Sequence, residues 1–236
     1  MLKKITLFYF LIQGSFMLAQ NNAREFYQSA LINDSLKDYT AALQDLENAL
    51  TANPAYDSAY YLSGTIYFKQ GELRKAIKQL DEAIAANAYY DEAFNARGLV
   101  KAQLKEYPGA IRDFNKAIML DPNNAKTYYN RALAKAFLDD YKSAIADLDN
   151  AIVINPRYIS AIYSRAYWKN AAGDYKGSIS DYKKIIEIDD SYKDAYIGIG
   201  SSMYEHGEKK EACEYLKKAA DKGSAMAEEL IEKLCD

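Results

Sequence analysis

In the stretch 110–118 the apolar residues are Ala110, Ile111, Phe114, Ala117 and Ile118, with Arg112, Asp113, Asn115 and Lys116 between them. That spacing marks one face of a helix with about 3.6 residues per turn. The pattern returns along the chain at a fixed step. With Ala23 as the first position and a step of 34, units begin at Ala23, Asp57, Asp91, Ala125, Ile159 and Lys193, without an insertion. Position 8 is then Ala30, Gly64, Gly98, Ala132, Ala166 and Gly200, always the smallest residues. Position 20 is Ala42, Ala76, Ala110, Ala144, Ser178 and Ala212, and position 27 is Ala49, Ala83, Ala117, Ala151, Ile185 and Ala219. Position 4 is Phe26, Tyr60, Phe94, Tyr128, Ile162 and Tyr196; position 24 is Leu46, Leu80, Phe114, Leu148, Tyr182 and Leu216.

Each unit predicts two helices. The first break falls near position 15, where Gly71, Gly173 and Gly207 are free to adopt the left-handed conformation that ends a helix. The second falls at positions 31–34, as at Asn53-Pro54, Asp121-Pro122 and Asn155-Pro156. Proline does not continue the preceding helix, and Asn or Asp suits the turn. Helix axes approach to roughly 8 Å only where the side chains at the crossing are small. Positions 8, 20 and 27 are therefore expected at the crossings, with the large residues of positions 4 and 24 around them. One such pair cannot bury its apolar face alone, whereas stacked pairs can.

Tyr or Phe at position 4, Gly or Ala at 8, Tyr at 17, Ala at 20, Phe or Leu at 24, Ala at 27 and Pro at 32 resemble the tetratricopeptide repeat over residues 23–226. The units are 23–56, 57–90, 91–124, 125–158, 159–192 and 193–226. Unit two departs with Leu73 and Ala88, unit five with Ser178, Ile185 and Asp190, and unit six with Lys209 and Ser224. The resemblance implies an all-α fold: an α-solenoid, a right-handed superhelix of antiparallel helix pairs whose first helices line a concave groove. Residues 227–236 read as a short capping helix, with Leu230, Ile231 and Leu234 inward and Glu228, Glu229, Glu232 and Lys233 outward.

The resemblance also implies where a partner docks, at positions 2, 5, 9 and 12–13 of the first helices. The candidate binding residues at positions 5 and 9 are Tyr27, Tyr61, Asn95, Leu99, Tyr129, Leu133, Tyr163 and Tyr167, with Phe137 at position 13. Tyrosine offers a large contact area, few rotamers and a hydroxyl, which suits peptide recognition. The competing reading of position 5 is that its rings pack between neighbouring units. Chaperone-binding relatives clamp a terminal carboxylate with Lys at position 5 and Asn at 9; no unit here has either. Tyrosines at position 17 (Tyr39, Tyr107, Tyr141, Tyr175) and position 34 (Tyr56, Tyr90, Tyr158, Tyr192) lie near turns and read as rings covering helix ends.

Arg97, Arg131 and Arg165 recur at position 7 in the same three units that carry Asp113, Asp147 and Asp181 at position 23. The co-occurrence points to an ion pair between the two helices of a unit. The other reading is a row of arginines that catches acidic ligands.

The first twenty residues stand apart. Lys3 and Lys4 precede an apolar run from Ile5 to Ile12, and Ala19 offers a small residue before a cut ahead of Gln20. This is the pattern of a secretory signal peptide over 1–19, with an uncleaved anchor as the alternative. Its apolar stretch is short of the roughly 20 residues that span a bilayer. Cleavage would change the net charge from −3 to −5, because Lys3 and Lys4 leave with it. An exported, periplasmic or extracellular protein is expected, with no membrane contact after cleavage. That compartment favours a bridge between Cys213 and Cys235, which would pin the cap.

Half of the 236 residues are apolar and 27% are charged, as in a packed protein. The negative balance argues against a nucleic-acid partner. One histidine and two cysteines make a multi-ligand metal site or a Ser-His-Asp hydrolase hard to build, so no enzyme, cofactor or metal is expected. The function expected is a protein-interaction scaffold that binds a peptide or protein segment. The alternative is a structural or assembly adaptor that uses the convex face or self-associates as a homo-oligomer.

Overall fold

A computed structural model describes residues 20–235. The segment expected to be a signal peptide, 1–19, lies outside the described residues. Among those described there are helices and turns and no strand. The chain divides into two compact units, Met1–Pro122 and Asn123–Asp236.

The first unit holds α1 (20–35), α2 (Tyr39–Ala52), α3 (Asp57–Lys69), α4 (Leu73–Ala86), α5 (Asp91–Gln103) and α6 (Tyr107–Leu120). The second holds α7 (Ala125–Ala136), α8 (Tyr141–Ile154), α9 (Ile159–Ala171), α10 (Tyr175–Ile188), α11 (Lys193–His206), α12 (Lys209–Asp221) and α13 (Ala225–Leu234). In the first unit α3 packs on α4 and α5 on α6; in the second α7 packs on α8, α9 on α10 and α11 on α12. Each pair also touches the next within its unit, through α4 and α5, α8 and α9, and α10 and α11.

Local chemistry sets the helix ends. The six residues at position 15 are Lys37, Gly71, Lys105, Asp139, Gly173 and Gly207, and all have positive φ, from 60° to 95°. Each second helix then starts after an acid: Asp38, Glu72, Glu106, Asp140, Asp174 or Glu208. The aspartates accept a hydrogen bond from a backbone N–H two or three residues into the helix, as Asp38 does from Ala41 at 3.0 Å. The glutamates make no such bond, but their charge still favours the helix N-terminus. Ser224 caps α13, which therefore begins at Ala225. The 34-residue plan places that start at 227, so the earlier cap lengthens the final helix.

Each core runs along the helix pairs. Leu46, Leu80 and Phe114 are buried in the first unit and Leu148, Tyr182 and Leu216 in the second. They lie against the small residues of position 8: a Cβ on Gly64 would stand 2.7 Å from Leu80 Cγ. The departures in unit five are accommodated by matched changes in unit six. Buried Ser178 bonds to buried Ser202 at 3.0 Å, which satisfies both hydroxyls. The Tyr182 ring fills space left open by Gly198.

Candidate functional site

The sequence singles out two repeating constellations, arginine with aspartate and paired tyrosines. The structure resolves what each does. Arg97 on α5 donates from Nε to Asp113 Oδ2 at 2.9 Å and from Nη2 to Oδ1 at 2.6 Å, across to α6. Its Nη1 reaches back to Asp81 on α4 at 2.6 Å. Arg165 on α9 repeats the arrangement with Asp181 on α10 and Asp149 on α8. Arg131 on α7 makes the same two-bond contact with Asp147 on α8. The arginines thus join the two helices of a repeat, and at Arg97 and Arg165 they also join successive repeats within the same compact unit. They are held by the scaffold, which removes them as free ligands for an acidic partner. Burial lowers the Arg97 and Arg165 pKa values, yet the hydrogen bonds to their aspartates outweigh it and the net shift is upward. Each contact has a third member, a lysine. Lys101, Lys135 and Lys169 lie within 2.9 Å of the same three aspartates. They recur at position 11 of those units, a periodicity that was available in the sequence.

Four tyrosines of position 5 meet tyrosines of position 34. Ring centroids are 5.1 Å apart for Tyr27–Tyr56 and Tyr61–Tyr90, 5.2 Å for Tyr129–Tyr158 and 6.0 Å for Tyr163–Tyr192. Tyr163 also stands edge-on to Tyr182 at 5.4 Å. Such pairs add about 1 kcal/mol beyond area burial. Burial raises the pKa of Tyr27, Tyr61 and Tyr163, with neighbouring acids and phenols adding to it. One side of each ring is therefore committed to packing, and the half-buried remainder faces outward. Asn95 and Leu99 on α5 are also half-buried.

Leu133 and Tyr167 come together in the second unit. With Ala136, Phe137, Asp139, Tyr141 and Trp168 they line a cavity of about 350 Å³. It is built from the end of α7, the following turn, the start of α8 and the C-terminal half of α9. Phe137 is 67% exposed and Tyr167 is 58% exposed. Asp139 sits in the left-handed turn with φ 60°, and its Oδ1 accepts a 2.8 Å hydrogen bond from the Tyr141 hydroxyl. That bond raises the Tyr141 pKa. The recurrence at position 17 predicts that Tyr141 covers a helix end. Here it is partly exposed and forms one wall of the cavity.

Cys213 on α12 and Cys235 just after α13 form a disulfide with Cα atoms 5.8 Å apart. Among the described residues no cluster of three His, Cys, Asp or Glu side chains is placed to hold a metal ion. No described helix is long and apolar enough to cross a membrane.

Models of the tetratricopeptide repeat match residues 35–98, 125–158 and 194–222, and a TPR repeat model matches 101–136. The chain is built of tetratricopeptide repeats. No curated protein matches the chain in sequence. Among solved structures it is similar to MamA, with 27% identity and a TM-score of 0.67, covering 75% of this chain and 94% of MamA. It is similar in fold to YrrB, described as a TPR protein with an unusual peptide-binding site, at 22% identity and a TM-score of 0.71; 80% of this chain and 98% of YrrB are covered. Pseudomonas aeruginosa pilF shares 16% identity at a TM-score of 0.76, over 91% of this chain and 99% of its own. The last two likenesses are of fold alone. Within tetratricopeptide repeats of this kind, the arginine–aspartate contacts and tyrosine pairs are internal joints. At the cavity Phe137 and Tyr167 leave large aromatic surface exposed.

Proposed function

We propose that the protein is an exported, non-catalytic scaffold that docks a peptide or protein segment on the first helices of its repeats. The observation that carries this reading is the convergence of Leu133, Phe137, Tyr141 and Tyr167 around one open cavity. Large apolar side chains in contiguous exposed patches mark interaction sites. A rigid, preformed surface also loses little conformational entropy on binding. The half-buried rings of Tyr129 and Tyr163 extend the surface along α7 and α9, and Tyr27, Tyr61, Asn95 and Leu99 supply the corresponding positions in the first unit. YrrB is a case of a peptide-binding site on this fold.

Export rests on residues 1–19 as a cleaved leader, with the protein periplasmic or extracellular. The Cys213–Cys235 bridge supports it, because disulfides persist in oxidising compartments and are rare in the cytosol. The test is purification from the native cell envelope of the wild-type chain and of a Leu133→Ser, Tyr167→Ser variant with an unchanged circular dichroism spectrum. A partner retained by the first and lost from the second supports docking. A partner retained equally by both moves the site elsewhere.

A further inference from the structure

The composition of the α7–α9 cavity says more than that it is apolar. Four of its seven lining residues are aromatic: Phe137, Tyr141, Tyr167 and Trp168. Its one charged lining residue is Asp139. Aromatic faces carry a negative quadrupole and attract a cation placed over them. A carboxylate at the rim adds a full opposite charge. An apolar anchor pocket would need neither so many rings nor an acid, which loses solvation when an apolar group covers it.

Asp139 is held for this role by local structure. It occupies the left-handed turn position that glycine fills in other units, so its backbone is fixed. The Tyr141 hydroxyl takes one of its oxygens, orienting the carboxylate and leaving the other acceptor sites. The charged partner that suits planar rings together with a carboxylate is the guanidinium group. It stacks on aromatic faces and donates hydrogen bonds in a fork.

We infer that the cavity bounded by Phe137, Asp139, Tyr141, Tyr167 and Trp168 is a cation-binding subsite that receives an arginine side chain of the docked segment. This deepens the docking reading above and rests on it.

Trp168 is the chain's one tryptophan, a core residue 8% exposed that borders this cavity, so its emission senses a ligand there. The probes are the peptides acetyl-Gly-Gly-Xaa-Gly-Gly-amide with Xaa as arginine, citrulline or leucine, together with choline chloride. Citrulline keeps the shape of arginine and removes the charge. The arginine peptide should change Trp168 emission saturably in the millimolar range and bind about fivefold tighter than the citrulline peptide. Asp139→Asn retains the acceptor for Tyr141 and tolerates the positive φ, so only the charge is lost. It should weaken arginine binding and narrow its advantage over citrulline to what the rings alone supply, with an unchanged melting temperature. Equal binding of arginine, citrulline and leucine would overturn the cation subsite and leave docking standing. Binding of choline without arginine would overturn it in favour of a small free cation. No response to any probe would overturn it as well, and the docking reading would then be decided separately by crosslinking from position 167.

Discussion

Gly98 on α5 and the Phe114 ring on α6 occupy a space that holds only one side chain. A Cβ at residue 98 would stand 2.6 Å from Phe114 Cε1. Alanine is the better helix former by up to about 1 kcal/mol, but overpacking a full core costs about 1–3 kcal/mol. The second effect wins, so Gly98→Ala should destabilise the first unit by about 1–2 kcal/mol. Adding Phe114→Leu should recover much of that loss. Urea unfolding of the single and double variants measures both.

The arginine–aspartate contacts supply a second test. Arg97 is 17% exposed and Asp113 is 6% exposed, and Lys101 closes on the same carboxylate at 2.7 Å. Asp113→Ala would leave two part-buried cations side by side, with Asp81 still holding Arg97, a loss of about 2–3 kcal/mol. Arg97→Ala should cost less, because Lys101 still faces Asp113. A double-mutant cycle should give a coupling above about 1 kcal/mol; additive losses would mean that the contact stabilises nothing.

The repeat spacing and its small residues made the helix pairs legible in the sequence, because every unit buries the same positions. The turns were only partly legible. Gly71, Gly173 and Gly207 announced a left-handed residue, while Lys37, Lys105 and Asp139 adopt the same φ without the residue type that signals it. There the tertiary packing of the two helices overrides local preference. The candidate cavity was half legible. Leu133, Tyr167 and Phe137 followed from the family's groove positions. Trp168, Tyr141 and Asp139 did not, because they come from three different elements whose rotation about their axes the spacing alone does not fix. The cysteines were legible as a pair by compartment, but their Cα separation was not.

The turn finding predicts stabilisation. Left-handed backbone costs an ordinary residue about 1–2 kcal/mol, partly offset by the extra freedom of glycine in the unfolded chain. Lys37→Gly and Lys105→Gly should each raise stability by about 0.5–1 kcal/mol. Thermal unfolding checks this, with Lys75→Gly inside α4 as the control that must lose stability.

Asp91 makes a pH-dependent prediction. Burial first, and then the hydrogen bond and charge of Glu92, raise its pKa from 3.8 to about 6. A carboxyl whose pKa rises on folding favours the fold in its protonated form. Its contribution is present below the unfolded value and is lost as pH rises through the folded one. Asp91→Asn should therefore gain on the wild type as pH rises from about 4 to about 6, an interval set by those two values. Melting curves at several pH values test it, and a gap that stays constant with pH would contradict it.

The disulfide closes a 22-residue separation and ties α13 to α12. In the chain-entropy picture such a loop is worth about 3 kcal/mol. Cys235→Ser should therefore speed hydrogen exchange in α13 (Ala225–Leu234) well beyond its effect on α7 to α10. Uniform acceleration across the second unit would mean that the bridge supports more than the cap.

The central claim is that a partner docks on the α7–α9 face. A photoreactive amino acid placed at residue 167, beside the cavity, or at residue 153, exposed on α8 away from it, tests that claim in living cells. The account predicts a discrete crosslinked species from position 167 and none from position 153. A crosslink from 153 with none from 167 would contradict it.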